Sequence, residues 1–228
     1  MRRVPTANHG PRRDVDRPTL VVLHYTAMQG GPAPVVALFS RPDTQLSAHY
    51  VLGEDGDVVA MVPEDRRAWH AGAGRWGGCA DVNSASVGIE ICNDGRAPFP
   101  AAQMDALEVL LDRILRRHGI PPEGVIGHSD CAPGRKIDPG RRFDWRRLAR
   151  GGLAVWPTEI DMARPCLDGF RDALRSFGYA APVDDEARLA AFRLRFRPGH
   201  AGPLDARDMG LALALARGWP VDGSRAGA

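Results

Sequence analysis

The chain has 228 residues, of which 44% are hydrophobic, so it can bury a sizeable core. Lysine and arginine number 30 against 28 acidic residues, which leaves a formal net charge of +2. The basic residues are spread along the chain, and this balance gives no indication of nucleic acid as a partner.

The N-terminal segment is basic, but no apolar segment of signal-peptide type follows it. The first apolar run, TLVVLHY, is too short to span a membrane. The four cysteines include no CxxC pair, which favours free thiols in a reducing compartment. We therefore expect a cytoplasmic protein, unless the natural chain carries an anchor that this sequence lacks.

The first half of the chain is predicted to be rich in strands. Residues 19–25 form a β-branched run of strand length, and residues 47–53, the turn EDGD and VVAMV predict a hairpin. Residues 84–93 alternate large apolar residues with Gly88, Glu90 and Cys92, which predicts another strand. A sheet therefore organises this half.

A helix is predicted over residues 102–118, because apolar residues recur there at helical spacing and Gly119 with two prolines follows. Residues 124–127 form a short strand that leads into GHSDCAPGRKIDPG, residues 127–140. The prolines and glycines of that segment predict a shaped loop instead of a helix. Residues 144–150 are predicted to be helical.

The C-terminal part is predicted to be a separate small domain. The segment GGLAVWPTE interrupts the helical pattern, and three helical stripes of apolar residues follow it. We therefore divide the chain into residues 1–157 and a three-helix domain at 158–228. Every candidate for chemistry precedes residue 140, so we expect a chain that ends after Pro157 to keep its metal.

Two histidines and an aspartate lie at positions that favour a metal site. His24 ends the first strand, His128 follows the short strand, and Asp138 comes ten residues later, after a turn. Two imidazoles and a carboxylate suit a zinc ion that keeps its fourth position for water. Each of the three also has an ordinary interpretation, as a strand-end, loop or turn residue.

Glu90 and Lys136 are the candidates for proton transfer and charge stabilisation. A glutamate in an apolar strand has a raised pKa if it is buried, as a general base requires, although it could instead face solvent on an edge strand. Lys136 is the only lysine in the chain and stands two residues before Asp138. In an extended segment both side chains point the same way, and the ammonium could stabilise an oxyanion.

The remaining candidates concern the wall of the site. The glycine-rich segment with His70, Ala71 and Gly72 is expected to line a cleft, and His49 is interpreted as part of the same wall. Arg75 and Asn93 flank the expected cleft and could contact carboxylates or amides of a peptide. For these two residues an ordinary surface role is an equal alternative.

Five motifs in order carry a family resemblance: VVLHYT, SAHYVLGEDGDVV, VPEDRRAWHAG, NSASVGIEI and GHSDCAPGRKIDPGRRFDW. Together they resemble the zinc-dependent N-acetylmuramoyl-L-alanine amidases of the AmpD and AmiD type, over residues 1–157. The resemblance implies a mixed α/β fold, zinc at His24, His128 and Asp138, and Glu90 with Lys136 as the catalytic pair. It also implies muropeptides, the fragments of peptidoglycan, as substrates.

The C-terminal helices resemble the peptidoglycan-binding domain of the AmiD type, which is usually an outer-membrane lipoprotein. The absence of a lipobox leaves open whether the substrate is intact wall or recycled fragments, and whether the sugar must be the 1,6-anhydro form. Two other functions also remain open. Folds of this kind serve as recognition modules that bind peptidoglycan without cutting it, and a zinc peptidase would share the same chemistry.

Overall fold

A computed structural model, which describes residues 1–28 and 31–221, shows a mixed β-sheet flanked by helices, as predicted. The strands are β1 (Arg2–Arg3), β2 (His9–Pro11), β3 (Leu20–Tyr25), β4 (Tyr50–Leu52), β5 (Val58–Ala60), β6 (Arg66–Ala68), β7 (Ser86–Ile91) and β8 (Val125–Gly127). The helices are α1 (Pro32–Phe39), α2 (Val82–Ala85), α3 (Ala101–His118), α4 (His128–Cys131), α5 (Trp145–Arg150), α6 (Leu167–Phe177), α7 (Asp185–Phe196) and α8 (Ala206–Gly218).

The main sheet has the strand order β1-β5-β4-β7-β3-β8. Strand β7 runs parallel to β4 on one side and to β3 on the other, and β3 is also parallel to β8. Strands β4 and β5 form the predicted antiparallel hairpin, and β2 pairs with β6 in a small second sheet. The carboxyl ends of β3, β7 and β8 therefore meet at one edge of the main sheet.

The two faces of the main sheet are covered by different elements. Val21, Leu23 and Ile89 pack in one core with α3, the helix predicted for residues 102–118. Side chains alternate across a strand, so His24 and Glu90 point to the opposite face. That face is covered near β4 by α1 and near β3 and β8 by the C-terminal helices.

Two local predictions differ from the structure. The strand predicted from residue 84 begins at Ser86, because the Asp81 side chain accepts a hydrogen bond from the Ser84 amide and caps the helical turn α2. The segment predicted to be entirely loop begins with the helical turn α4. The amide of Ala132 donates to the carbonyl of His128 at 3.0 Å, so the turn closes before Pro133 can interrupt it.

The three predicted C-terminal helices are present as α6, α7 and α8. They share one apolar core with the sheet, in which Trp76 packs at 5.5 Å from Phe177 and 5.2 Å from Tyr179. The expectation that a chain ending after Pro157 keeps its metal stays a prediction. The domain boundary itself stays a prediction, and residues 222–228 lie outside the described residues.

Within residues 1–28 and 31–221, no helix is both long enough and apolar enough to span a membrane.

Candidate metal centre

His24, His128 and Asp138 come together as the sequence predicted. Nδ1 of His24 lies 2.9 Å from Nδ1 of His128 and 2.9 Å from Oδ2 of Asp138, and the latter two atoms are 3.0 Å apart. All three side chains are buried. Three donor atoms therefore converge on one point in a site with little access to solvent.

Parallel pairing explains why the first two residues meet. His24 lies near the end of β3, and His128 directly follows β8, its neighbour in the sheet. Asp138 is brought back to them by backbone contacts: its carbonyl accepts a hydrogen bond from the Ser129 amide at 2.9 Å. A Cβ atom at Gly127 would lie 2.9 Å from Cδ of Pro139, so only glycine allows this return without displacement.

Hydrogen bonds to the outer ring nitrogens orient both histidines. Nε2 of His128 donates to the carbonyl of Ala71 at 2.8 Å, which leaves Nδ1 of His128 free to bind a metal. Burial, followed by the nearby His128, lowers the pKa of His24 to about 4, so His24 is neutral near pH 7. A neutral imidazole is the form that binds metals.

A chain of hydrogen bonds fixes the orientation of His24. With Nδ1 of His24 used as a ligand, Nε2 of His24 carries the proton and donates to Nδ1 of His70 at 3.0 Å. Nε2 of His70 then donates to Oγ of Ser86 at 3.2 Å, and that hydroxyl donates to the carbonyl of Val82. One set of histidine tautomers therefore satisfies every hydrogen bond from the metal centre to α2.

Glu90 lies beside the three candidate ligands. It pairs with His24 in the register of β7 and β3, and it lines the same cavity. Desolvation, with a further contribution from the charge of Asp138, raises the pKa of Glu90 to about 8. The positive charge of Lys136 opposes these two effects and lowers the pKa of Glu90.

The cavity over these residues has a volume of about 390 Å³. The three candidate ligands line it together with Glu90 and Lys136. Helix α1 provides an apolar wall, and the sequence-based prediction missed that helix because it shows no clear polar face. Other lining residues that were not predicted include Tyr25, Trp69 and Ile137, each of which directly adjoins a predicted site residue.

The predicted wall residues occupy different places. His70 lines the cavity, and its ring packs directly against Gly88. His49 is buried, accepts from the Gly88 amide and donates to a backbone carbonyl, so its interpretation as part of the cavity wall is wrong. Ala71 is buried and contributes its carbonyl to His128.

Three other predicted wall residues do not line this cavity in the described part of the chain. Gly72 is exposed, and it has a positive φ of 60° near the Arg135 guanidinium. Asn93 is buried, and its Oδ1 accepts a hydrogen bond from the Gly95 amide at 2.8 Å, which stabilises the turn there. Arg75 is exposed. Contact of these residues with a substrate stays a prediction.

A second group of potential ligands, His200, Asp205 and Asp208, lies between α7 and α8 and in the first turn of α8. Both carboxylates are already bound by arginines. Arg197 donates to Asp205 at 2.6 Å and to Asp208 at 2.8 Å, and Arg193 also pairs with Asp208. These cations compensate the negative charge that a metal would need, so the first group is the better metal site.

The chain is similar to known proteins over most of its length. Residues 14–141 match a family described as N-acetylmuramoyl-L-alanine amidase. The chain is 33% identical over 233 residues to the N-acetylmuramoyl-L-alanine amidase AmiD of Escherichia coli K12, covering 86% of this chain and 81% of AmiD. It is 37% identical over 164 residues to the 1,6-anhydro-N-acetylmuramyl-L-alanine amidase AmpD of Enterobacter cloacae, covering 64% of this chain and 87% of AmpD.

Two solved structures extend the similarity over most of the fold. One is Escherichia coli AmiD in complex with anhydro-N-acetylmuramic acid-L-Ala-D-γ-Glu-L-Lys, with a TM-score of 0.79, 30% identity, and coverage of 90% of this chain and 93% of AmiD. The other is AmpDh3 of Pseudomonas aeruginosa with an anhydromuramic pentapeptide, with a TM-score of 0.79, 32% identity, and coverage of 94% and 95%.

Proposed function

The chain belongs to the N-acetylmuramoyl-L-alanine amidase family, and we propose that it is a zinc-dependent member that cleaves muropeptides. The bond cut is the amide between the lactyl group of N-acetylmuramic acid and the L-alanine of the stem peptide. The observation that carries this proposal is the convergence of His24, His128 and Asp138 beside Glu90 in one cavity.

The three candidate ligands fit zinc. Zinc binds imidazole nitrogen and carboxylate oxygen at about 2.0–2.2 Å, and sites with three protein ligands are the catalytic kind. The donor atoms here are 2.9–3.0 Å apart, so one ion can bind all three. When bound, zinc supplies a Lewis acid that lowers the pKa of water and polarises a carbonyl.

Glu90 is proposed to move the proton. Its carboxylate accepts a proton from the attacking water as the water oxygen bonds to the lactyl carbonyl carbon. It then delivers that proton to the alanine nitrogen while the C–N bond breaks. A cation at the neighbouring ligands favours the charged carboxylate, so it would bring the pKa of Glu90 below the value of about 8 that desolvation sets.

Lys136 is proposed to stabilise charge. The carbonyl oxygen becomes negative during attack, and a positioned ammonium lowers the free energy of that state. The apolar wall formed by α1 limits water around these charges, which strengthens their interaction. The products are a muramic acid sugar with a free lactyl carboxylate and a stem peptide with a free amino terminus.

Digestion of a defined muropeptide, followed by mass analysis, tests the proposal. We expect the two products named above from the zinc-loaded chain, no products after chelation, and recovery on adding zinc. Glu90→Gln should lose turnover by about a hundredfold or more, the scale of a positioned proton carrier, while Glu54→Gln on the exposed hairpin turn should not.

The same digestion separates the alternatives. A peptide cut between two amino acids would indicate a peptidase, and binding without cutting would indicate a recognition module. Parallel digestion of anhydro and reducing-end sugars would show which form is required. A cytoplasmic location and a role on recycled fragments stay predictions.

A further inference from the structure

Asp130 lies beside the metal centre and is bound by residues from the C-terminal part of the chain. It lies two residues after His128 on α4 and is fully buried. One of its carboxylate oxygens accepts from the Gly127 amide at 2.8 Å and from Nη1 of Arg195 at 2.9 Å, and the other accepts from the Tyr179 hydroxyl at 2.5 Å. Two of the three donors thus come from beyond residue 157.

These two donors are held firmly by their surroundings. Arg195 and Tyr179 are each 2% exposed. The Arg195 guanidinium lies 4.0 Å from the ring centre of Trp145 and 4.9 Å from that of Phe196, so aromatic faces restrict where it can point. A buried arginine and a buried aspartate compensate each other, and neither can lose its partner without leaving an uncompensated charge in the interior.

Helix α4 connects Asp130 to two of the three ligands. His128 is its first residue, and the amide of Ser129 donates a hydrogen bond to the carbonyl of Asp138 at 2.9 Å. A helical turn of four residues has almost no internal hydrogen bonds to fix its position, so external contacts must do so. One of these external contacts is the buried ion pair between Asp130 and Arg195. A displacement of Asp130 would therefore move His128 and Asp138 together.

We propose that Arg195 and Tyr179 are positioning residues for the metal centre. Acting through Asp130, they hold α4 in the place that brings His128 and Asp138 within reach of one ion. The C-terminal helices are then part of the support of the metal centre, in addition to any contact they make with the wall. This inference rests on the proposed function, because it assumes that zinc binds at His24, His128 and Asp138.

Matched variants of the full chain separate this role from general stability. Arg195→Met removes the cation from Asp130, whereas Arg193→Met, two residues away on α7, removes a buried cation from Asp208 inside the bundle. Tyr179→Phe removes only a hydroxyl, and Tyr50→Phe removes a comparable hydroxyl that donates to Glu64. For each variant, the zinc Kd is measured by competition with a chelator and the Tm is measured without zinc.

We expect Arg195→Met to raise the zinc Kd by about tenfold or more, the scale on which residues that orient ligands act. Arg193→Met should also lower the Tm, by less because Arg197 still pairs with Asp208, and should leave the zinc Kd unchanged. Tyr179→Phe should raise the zinc Kd by a smaller factor, and Tyr50→Phe should leave it as in wild type.

Tyr179→Phe decides the test if Arg195→Met does not fold. A wild-type zinc Kd in every variant of Arg195 and Tyr179 that folds would overturn this inference alone. So would a rise of the zinc Kd in Arg193→Met as large as the rise in Arg195→Met. A wild-type chain that binds no zinc would refute the proposed function, and the inference with it.

Discussion

Replacing Gly88 by alanine should disturb the metal centre without changing any residue that binds metal or substrate. A Cβ atom at Gly88 would lie 2.4 Å from Cγ of His70 and 2.5 Å from its Cδ2. Gly88 has no positive φ, so the strand backbone accepts alanine, and the three atoms nearest to the added Cβ all belong to the His70 ring. His70 cannot move freely, because its ring bonds to His24 on one side and to Ser86 on the other.

The cost can be worked from these contacts. Overpacking a buried site costs about 1–3 kcal/mol. Displacing the His70 ring also weakens two buried hydrogen bonds, each worth about 1 kcal/mol. We therefore expect Gly88→Ala to lower the free energy of unfolding by about 2–4 kcal/mol. It should also weaken zinc binding, because the proton of His24 loses the acceptor that orients the ring.

Urea unfolding of the metal-free chain and zinc competition with a chelator measure the two effects. Gly10→Ala is the control, since Gly10 lies in strand β2 and an added Cβ there meets no atom within 4 Å. In a His70→Ala background the clash is gone, so Gly88→Ala should cost much less. Wild-type stability and zinc affinity in Gly88→Ala, or an equal cost in both backgrounds, would refute this explanation.

Asp138→Ala should abolish stoichiometric zinc binding, measured by metal analysis after dialysis, because two imidazoles alone hold zinc poorly. Lys136→Ala should lower turnover on a soluble muropeptide and leave the zinc content unchanged; an unchanged rate would assign oxyanion stabilisation to other groups. Burial lowers the pKa of His49 from 6.5 to about 3, so the unfolded chain binds more protons between these values and stability is lost as the pH falls. Metal-free wild type should lose up to about 1.4 kcal/mol per pH unit through this residue, and His49→Gln should show a correspondingly smaller slope in urea unfolding between pH 6 and pH 4.

The sequence by itself determined the candidate ligands and the elements that carry them. His24 lies near the end of a continuous apolar run and Glu90 sits in an apolar run of period two, and both runs predict strands. Helix α3 and the three C-terminal helices were predictable for a similar reason, since their apolar spacing is local and their ends carry glycine or capping residues. Periodicity is a property of neighbouring residues, and the sequence shows it directly.

Tertiary structure alone decided what surrounds the candidate ligands. His70 proved to be a hydrogen-bond partner of His24 as well as part of the cavity wall, and Asp130 proved to be bound by Arg195, 65 residues away along the chain. Nothing local marks such pairs, because an arginine that compensates a buried carboxylate looks in sequence like any solvated arginine. Packing brings these segments together, and the cost of burying an unpaired charge is what selects the partner.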